Sequence, residues 1–191
     1  MSVKILAFAG STREASFNKQ LVRVAAKAAE QAGAEVTVID LKDFPMPLYD
    51  GDLESQSGLP EHAKRFKELL KSHHGFLIAS PEYNSSITAV LKNAIDWASR
   101  PEPNEPPLVA YTDKFAGLMS ASPGALGGLR SLATVRSILE NIGVHVIPNQ
   151  IAVSRAHEAF NLDGSLKDPK QQAAVEKVAQ RLTHLLKKVH D

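Results

Sequence analysis

Three short segments hold residue types that could do chemistry. Gly10-Ser11-Thr12-Arg13-Glu14-Ala15-Ser16-Phe17-Asn18 gathers hydroxyls, a guanidinium and an amide just ahead of a helical stretch. Such a loop suits a phosphate dianion. Backbone N–H groups and the helix dipole favour the charge, and Arg13 can bind two oxygens at once. The same residues also permit ordinary capping, with Ser16 or Asn18 at the N-cap and the rest in solvent. No Gly-Lys-Ser/Thr follows, so this is not a Walker loop, and the three-glycine dinucleotide fingerprint is missing as well. A cysteine-dependent phosphatase would need a thiol here, and the chain has no cysteine.

The second segment is Ser80-Pro81-Glu82-Tyr83-Asn84-Ser85-Ser86. Pro81 pushes Ser80 into an extended conformation and starts a tight turn. It reads either as the opening of a helix capped by Ser85 or Ser86, or as a grip on a flat aromatic ligand with Tyr83 beside it. The third is Ser120-Ala121-Ser122-Pro123-Gly124-Ala125-Leu126-Gly127-Gly128. Its glycines and serines let backbone approach a ligand closely while presenting N–H donors. A flexible connection is the plainer alternative.

The elements that must position these loops follow from hydrophobic periodicity. Val3–Ala9 is apolar except for Lys4, as in a strand covered on both faces. A helix follows with Leu21, Val22, Ala25, Ala29 and Ala32 on one side, stopped by Gly33. Val36–Ile39 predicts a second strand, and the Pro- and Gly-bearing stretch Asp40–Gly58 an irregular connection. Helices are expected over Pro60–Ser72, Ser86–Ser99 and Leu126–Asn141, with strands at Phe76–Ala79 and Phe115–Met119. Pro101–Pro107 must be loop. Val144–Ile147 and Ile151–Val153 flank Pro148 and predict an edge strand. Asp168-Pro169 opens a last helix with the stripe Val175, Val178, Leu182, Leu185 and Val189. Alternation of this kind predicts a doubly wound five-stranded parallel α/β sheet, as one domain spanning residues 1–191, for which we take the flavodoxin-like order 2-1-3-4-5. In that order the loops after strands one, three and four meet at the point where strand order reverses, which is where such sheets bind ligands. A phosphate loop, an aromatic turn and a glycine-serine loop together describe a mononucleotide carrying a planar ring. FMN matches that description.

Composition narrows the class. The chain has 191 residues, 43% of them hydrophobic, with a mean hydropathy of −0.16. Without cysteine there are no disulfides, thiolate nucleophiles or sulfur-ligated metals. Net charge is +1 and neither sign clusters along the chain. A nucleic-acid partner is not expected, nor a membrane one, because no run approaches the length of a span. The apolar start is too short for a signal peptide, and Arg13 and Glu14 stand where cleavage would occur. A cytoplasmic location is the expectation.

The three loops, with Leu91-Lys92-Asn93-Ala94-Ile95-Asp96-Trp97, resemble the NADPH-dependent FMN reductase family over nearly the whole chain. That family includes flavodoxin-like quinone, azo-dye and chromate reductases. The resemblance implies a flavodoxin-like fold, FMN as cofactor, NADPH (or NADH) as reductant and a homodimer or homotetramer. It implies that Ser11, Arg13, Ser16, Phe17 and Asn18 hold the FMN phosphate. Pro81, Glu82, Tyr83 and Asn84 would border the ribityl chain and ring, and Ser122 and Gly124 the pyrimidine edge. Some relatives carry an aromatic residue in a subunit contact shortly after the Gly-Gly-x-Arg step, where this chain has Ala133. The implied reaction is ping-pong hydride transfer that needs no catalytic side chain. A one-electron carrier and a non-enzymatic flavin-binding protein are the rival readings.

Four further features are set against plainer roles. His73-His74 at a helix end reads as a partner for the helix dipole rather than a metal site. His157-Glu158 reads as surface. Asp96-Trp97 reads as simple helix packing or, Trp97 being the only tryptophan, as part of a subunit interface. Arg130 reads equally as a solvated residue or as a contact for dinucleotide phosphates.

Overall fold

The computed structural model of the chain describes residues 2–190. In chain order the elements are β1 (Lys4–Ala9), α1 (Phe17–Gln31), β2 (Glu35–Asp40), α2 (Gly51–Ser57), α3 (Glu61–Ser72), β3 (Gly75–Ala79) and α4 (Ala89–Ala98). They continue with β4 (Phe115–Ala121), α5 (Leu129–Asn141), β5 (His145–Val153), α6 (Ala156–Ala159) and α7 (Pro169–His190). All neighbouring strands pair in parallel, in the order β2-β1-β3-β4-β5. This is the flavodoxin-like arrangement expected from the sequence.

The central strands explain their own composition. Every residue of β3 is buried, as is all of β1 beyond Lys4, because helices cover both faces of the sheet. On one face α1 and α7 bury Leu21, Val22, Ala25, Val178 and Leu182 against Ile5, Ala7 and Leu77. On the other, α3, α4 and α5 bury Phe66, Leu91 and Leu132 against Phe8, Phe76 and Ile78. Each large apolar side chain so buried contributes roughly 1.5–3 kcal/mol.

Several expected boundaries are corrected. The stretch after β2 is not wholly irregular. It holds a 3-10 turn at Leu41–Asp43 and the helix α2, whose N-terminus Asp50 caps by accepting from the N–H groups of Asp52 and Leu53. None of the α2 residues is buried, so no apolar stripe announces it. Helix α4 begins at Ala89 rather than Ser86, because Tyr83 and Ser86 pair with each other and Thr88 supplies the cap. Likewise α5 begins at Leu129, after Gly127 and Gly128 have both taken positive φ. At the edge of the sheet β5 runs unbroken through Pro148, with a register shift opposite Ala116–Leu118. Val189 is exposed and Leu186 takes its expected place in the core.

For Trp97 the interface reading is corrected and the packing reading holds. The side chain is fully buried, donating its Nε1–H to Pro47 O at 2.8 Å and meeting the Tyr49 ring edge-on at 5.1 Å. It therefore holds the segment after β2 within its own chain and cannot face a partner. Among the described residues, no helix is long and apolar enough to cross a membrane.

Candidate functional site

Gly10 leaves β1 under tight constraint. Its N–H donates to Ala79 O at 2.9 Å, and its carbonyl accepts from Thr88 Oγ1 at 2.6 Å. A Cβ at this position would lie 2.9 Å from Leu91, so only glycine lets α4 pack this close. The β1 and β3 loops are thereby joined at their roots. Thr88 did not stand out in the sequence, although a Thr directly ahead of Ala89-Val90-Leu91 is an ordinary capping signal.

The loop that follows ends on the N-terminus of α1. Ser16 occupies the N-cap position, is buried, and makes no side-chain capping bond. An α-helix leaves its first N–H groups without internal partners, so those of Phe17, Asn18 and Lys19 open into the same loop. Ser11 is buried and accepts from the Arg13 N–H at 3.3 Å. Arg13 is exposed, donating Nη2–H to Ala15 O at 2.7 Å with its guanidinium 5.5 Å from the Phe17 ring centre. Phe17 in turn stacks on Phe160. Asn18 is committed elsewhere. Its Nδ2 donates to Ala121 O at 2.8 Å and its Oδ1 accepts from Ala121 N–H at 2.9 Å, which pins the β1 loop to the end of β4.

The β3 loop is a two-residue turn with an unusual backbone. Tyr83 and Ser86 exchange both backbone hydrogen bonds at 3.0 Å, and Asn84 and Ser85 between them have φ of 50° and 67°. Positive φ at both central positions is the twist of a type I′ turn, and it costs a non-glycine residue about 1–2 kcal/mol each. Pro81 is buried beneath, while Tyr83 is left exposed at the tip. The Glu82 carboxylate turns away toward α5, where it pairs with Arg130. Arg130 remains more than half exposed while making this pair, and its nearest charge is within its own chain.

The β4 loop completes the junction. Ser120, Ser131 and Ser80 are fully buried, and the hydroxyls of Ser120 and Ser131 both donate to Ser80 O, at 2.7 and 2.9 Å. Among the described residues, Ser80 Oγ is the buried side-chain polar atom without a hydrogen-bond partner. Gly128, at φ 90°, sits so close over Ser120 that a Cβ would come within 1.9 Å of its hydroxyl. Ser122 is half-buried and Gly124 exposed, their contact being the Gly124 N–H to Ser122 Oγ at 3.3 Å. Nothing in local sequence announces the serine cluster, because its members are 40 and 51 residues apart.

The expected site residues therefore stand on three neighbouring loops at the carboxyl end of the sheet. An open groove of about 660 Å³ lies elsewhere, between α1, α7 and the 161–165 loop. A cleft of about 250 Å³ between Thr12, Phe44, Met46 and Asn93 adjoins the β1 loop. His157 and Glu158 form an exposed pair, as expected of surface. His73 ends α3 with Nδ1 2.6 Å from Leu69 O and Nε2 2.9 Å from Thr37 Oγ1, so it serves a helix terminus at the opposite end of the sheet.

Comparison with known proteins gives the family of the chain. The chain is 37% identical over 172 residues to a protein of Oryza sativa subsp. japonica named probable NADPH:quinone oxidoreductase 2, covering 88% of this chain and 81% of that one. It is 34% identical over 181 residues to an NAD(P)H-dependent FMN reductase of Pseudomonas aeruginosa, covering 94% and 93%. In three dimensions it resembles FerB, a flavoenzyme NAD(P)H:(acceptor) oxidoreductase from Paracoccus denitrificans, with a TM-score of 0.82 and 27% identity over 97% and 98% of the two chains. The sequence profile of the NADPH-dependent FMN reductases matches residues 3–158, and the chain belongs to that family.

Proposed function

We propose that the chain binds FMN over the junction of the β1, β3 and β4 loops and reduces quinones or similar oxidised small molecules with NADPH, or NADH, by a ping-pong mechanism. The observation that carries this is the unsatisfied N-terminus of α1 at that junction. A buried serine at the N-cap makes no capping bond, and first-turn N–H groups point into a loop bearing Arg13. A phosphate dianion supplies what those donors lack. Ser11, Arg13, Ser16 and the backbone of Phe17 and Asn18 would hold it. The Pro81–Asn84 segment would lie along the ring, and the backbone at Ser122 and Gly124 would offer donors to its polar edge.

Held there by Ser11, Arg13, Ser16 and the α1 backbone, FMN would supply hydride-transfer chemistry between a nicotinamide and an acceptor. The protein's part is orientation. The tied loops would cover one side and an edge of the flavin, and the chain has no cysteine to serve as a second redox group. Reductant and acceptor must then use the same opening in turn. Steady-state kinetics at several fixed quinone concentrations should give parallel double-reciprocal lines, with NADPH competing against quinone at high concentration. Intersecting lines would mean two separate substrate sites and would overturn this reading.

Assembly into at least a dimer is part of the proposal. Leu126 and Leu129 are about half exposed beside the site, and apolar side chains grouped there favour a covering partner. Light scattering should report at least twice the 20.7 kDa chain mass; a monomer at micromolar concentration rules this out.

A further inference from the structure

Glu82 sits between Pro81 and the Tyr83 turn, yet its carboxylate bonds to neither. Oε2 accepts from the backbone N–H of Arg130 at 2.9 Å and of Ser131 at 3.3 Å. Oε1 accepts from Arg130 Nε at 2.6 Å and lies 2.5 Å from its Nη2. The N-cap residue of α5 is Gly128, which has no side chain to satisfy those N–H groups. Glu82 supplies the missing cap from 48 residues away, with its negative charge at the positive end of the helix dipole. These bonds hold its carboxyl below the usual carboxylate range against the opposing effect of burial.

The two segments so joined have little slack. On one side is the positive-φ turn at Asn84 and Ser85; on the other, Gly127 and Gly128 at φ 62° and 90°. The Glu82 Cβ lies only 3.7 Å from where a Gly128 Cβ would stand. We propose that Glu82 is a positioning residue, which with Arg130 sets the gap between the Tyr83–Ser86 turn and the Gly127–Gly128 loop and keeps that edge electrically neutral. The inference rests on the FMN reading for its consequence, since this gap is where the ring would lie. The clamp itself is independent of any ligand. Arg130 has the role of an anchored counter-charge, and its half-exposed guanidinium is already spoken for.

Two measurements separate the clamp from the flavin reading. In FMN-free protein, Glu82→Ala should speed amide hydrogen exchange at Arg130 and Ser131 by roughly tenfold or more, the loss expected for bonds to a charged group, with α7 unaffected. Glu82→Gln, which keeps an acceptor for the helix, should recover most of that protection. In FMN-loaded protein, Glu82→Ala should weaken FMN and riboflavin by equal factors, because the phosphate is not involved. Glu82→Gln leaves Arg130 unbalanced and Arg130→Met leaves the carboxylate unbalanced, so the flavin midpoint potential should shift upward in the first and downward in the second. A residue that only supported the fold would not produce shifts of opposite sign. Unchanged exchange at Arg130 and Ser131 in Glu82→Ala, or potentials moving the same way in both charge variants, would overturn the proposal. Wild-type protein that takes up no FMN would overturn the flavin reading, while the exchange result still decides whether the clamp exists.

Discussion

Both ends of the sheet use polar side chains to complete backbone hydrogen bonds, but the carboxyl end also keeps polar groups unused and backbone strained. At the amino end, polar side chains finish what the backbone leaves open. His74 Nδ1 accepts from Lys4 N–H at 2.9 Å, His73 bridges Leu69 O and Thr37, and Lys114 Nζ donates to Lys71 O and His73 O at 3.0 and 2.6 Å. At the carboxyl end, Ser16 caps nothing, Ser80 Oγ has no partner, and Asn84 and Ser85 hold positive φ. The difference teaches where this molecule keeps stability and where it spends it. Strain and unused donors persist at one edge because the rest of the sheet over-determines the backbone there.

The widest separation between the ends should come from glycine. Gly128→Ala must accommodate both φ 90° and a Cβ at 1.9 Å from Ser120 Oγ. We expect a loss of about 3 kcal/mol or more, together with impaired FMN uptake by whatever folds. Gly75→Ala at the amino end meets Leu186 at 2.9 Å and Phe115 O at 3.0 Å, and should cost about 1–3 kcal/mol with FMN affinity of the folded protein unchanged. Urea unfolding paired with flavin titration measures both quantities. Equal effects on FMN binding would erase the contrast between the two edges.

Arg13→Ala sharpens the comparison from the ligand side. Removing an exposed guanidinium should leave stability within about 0.5 kcal/mol, yet weaken FMN by about 1.5–3 kcal/mol. Riboflavin, which lacks the phosphate, should bind the variant as it binds wild type. Loss of affinity for both ligands alike would remove Arg13 from the phosphate site.

The smallest effect is expected at the amino end and depends on pH. Burial lowers the pKa of His73, and burial with the nearby His190, Lys114 and Lys4 lowers that of His74. Both imidazoles thus stay neutral in the folded chain at pH values where the unfolded chain binds protons. Stability is complete above the ordinary histidine value of about 6.5 and declines as pH falls from there toward the lowered folded values. Melting temperature should drop between about pH 7.5 and about pH 5.5, and a His73→Gln variant should show a shallower drop. A flat wild-type profile would show that these histidines titrate alike in both states.

Most of the frame was legible because it depends on short-range pattern. The continuous apolar runs of β1 and β3 and the stripes of α1 and α3 repeat at the periods that burial on two faces or one requires. Helix α2 was not legible, since it buries nothing and depends on the Asp50 cap. The end of α4 misled for a related reason. A lone tryptophan beside charged residues suggests a surface, but Pro47, 50 residues away, brings an acceptor to its indole N–H.

The sequence by itself determined the alternating strand–helix frame, the three loops that leave β1, β3 and β4 and the types of group they present, because each of these follows from residues close together in the chain. Only the tertiary structure decided which of those groups stay free. Asn18 is consumed by Ala121 and Glu82 by α5, whereas Ser16 and the first turn of α1 keep their donors. The physical reason is that a side chain can make its best bond with whatever the fold brings within about 3 Å. Bonds spanning 103 and 48 residues here leave no trace in local spacing.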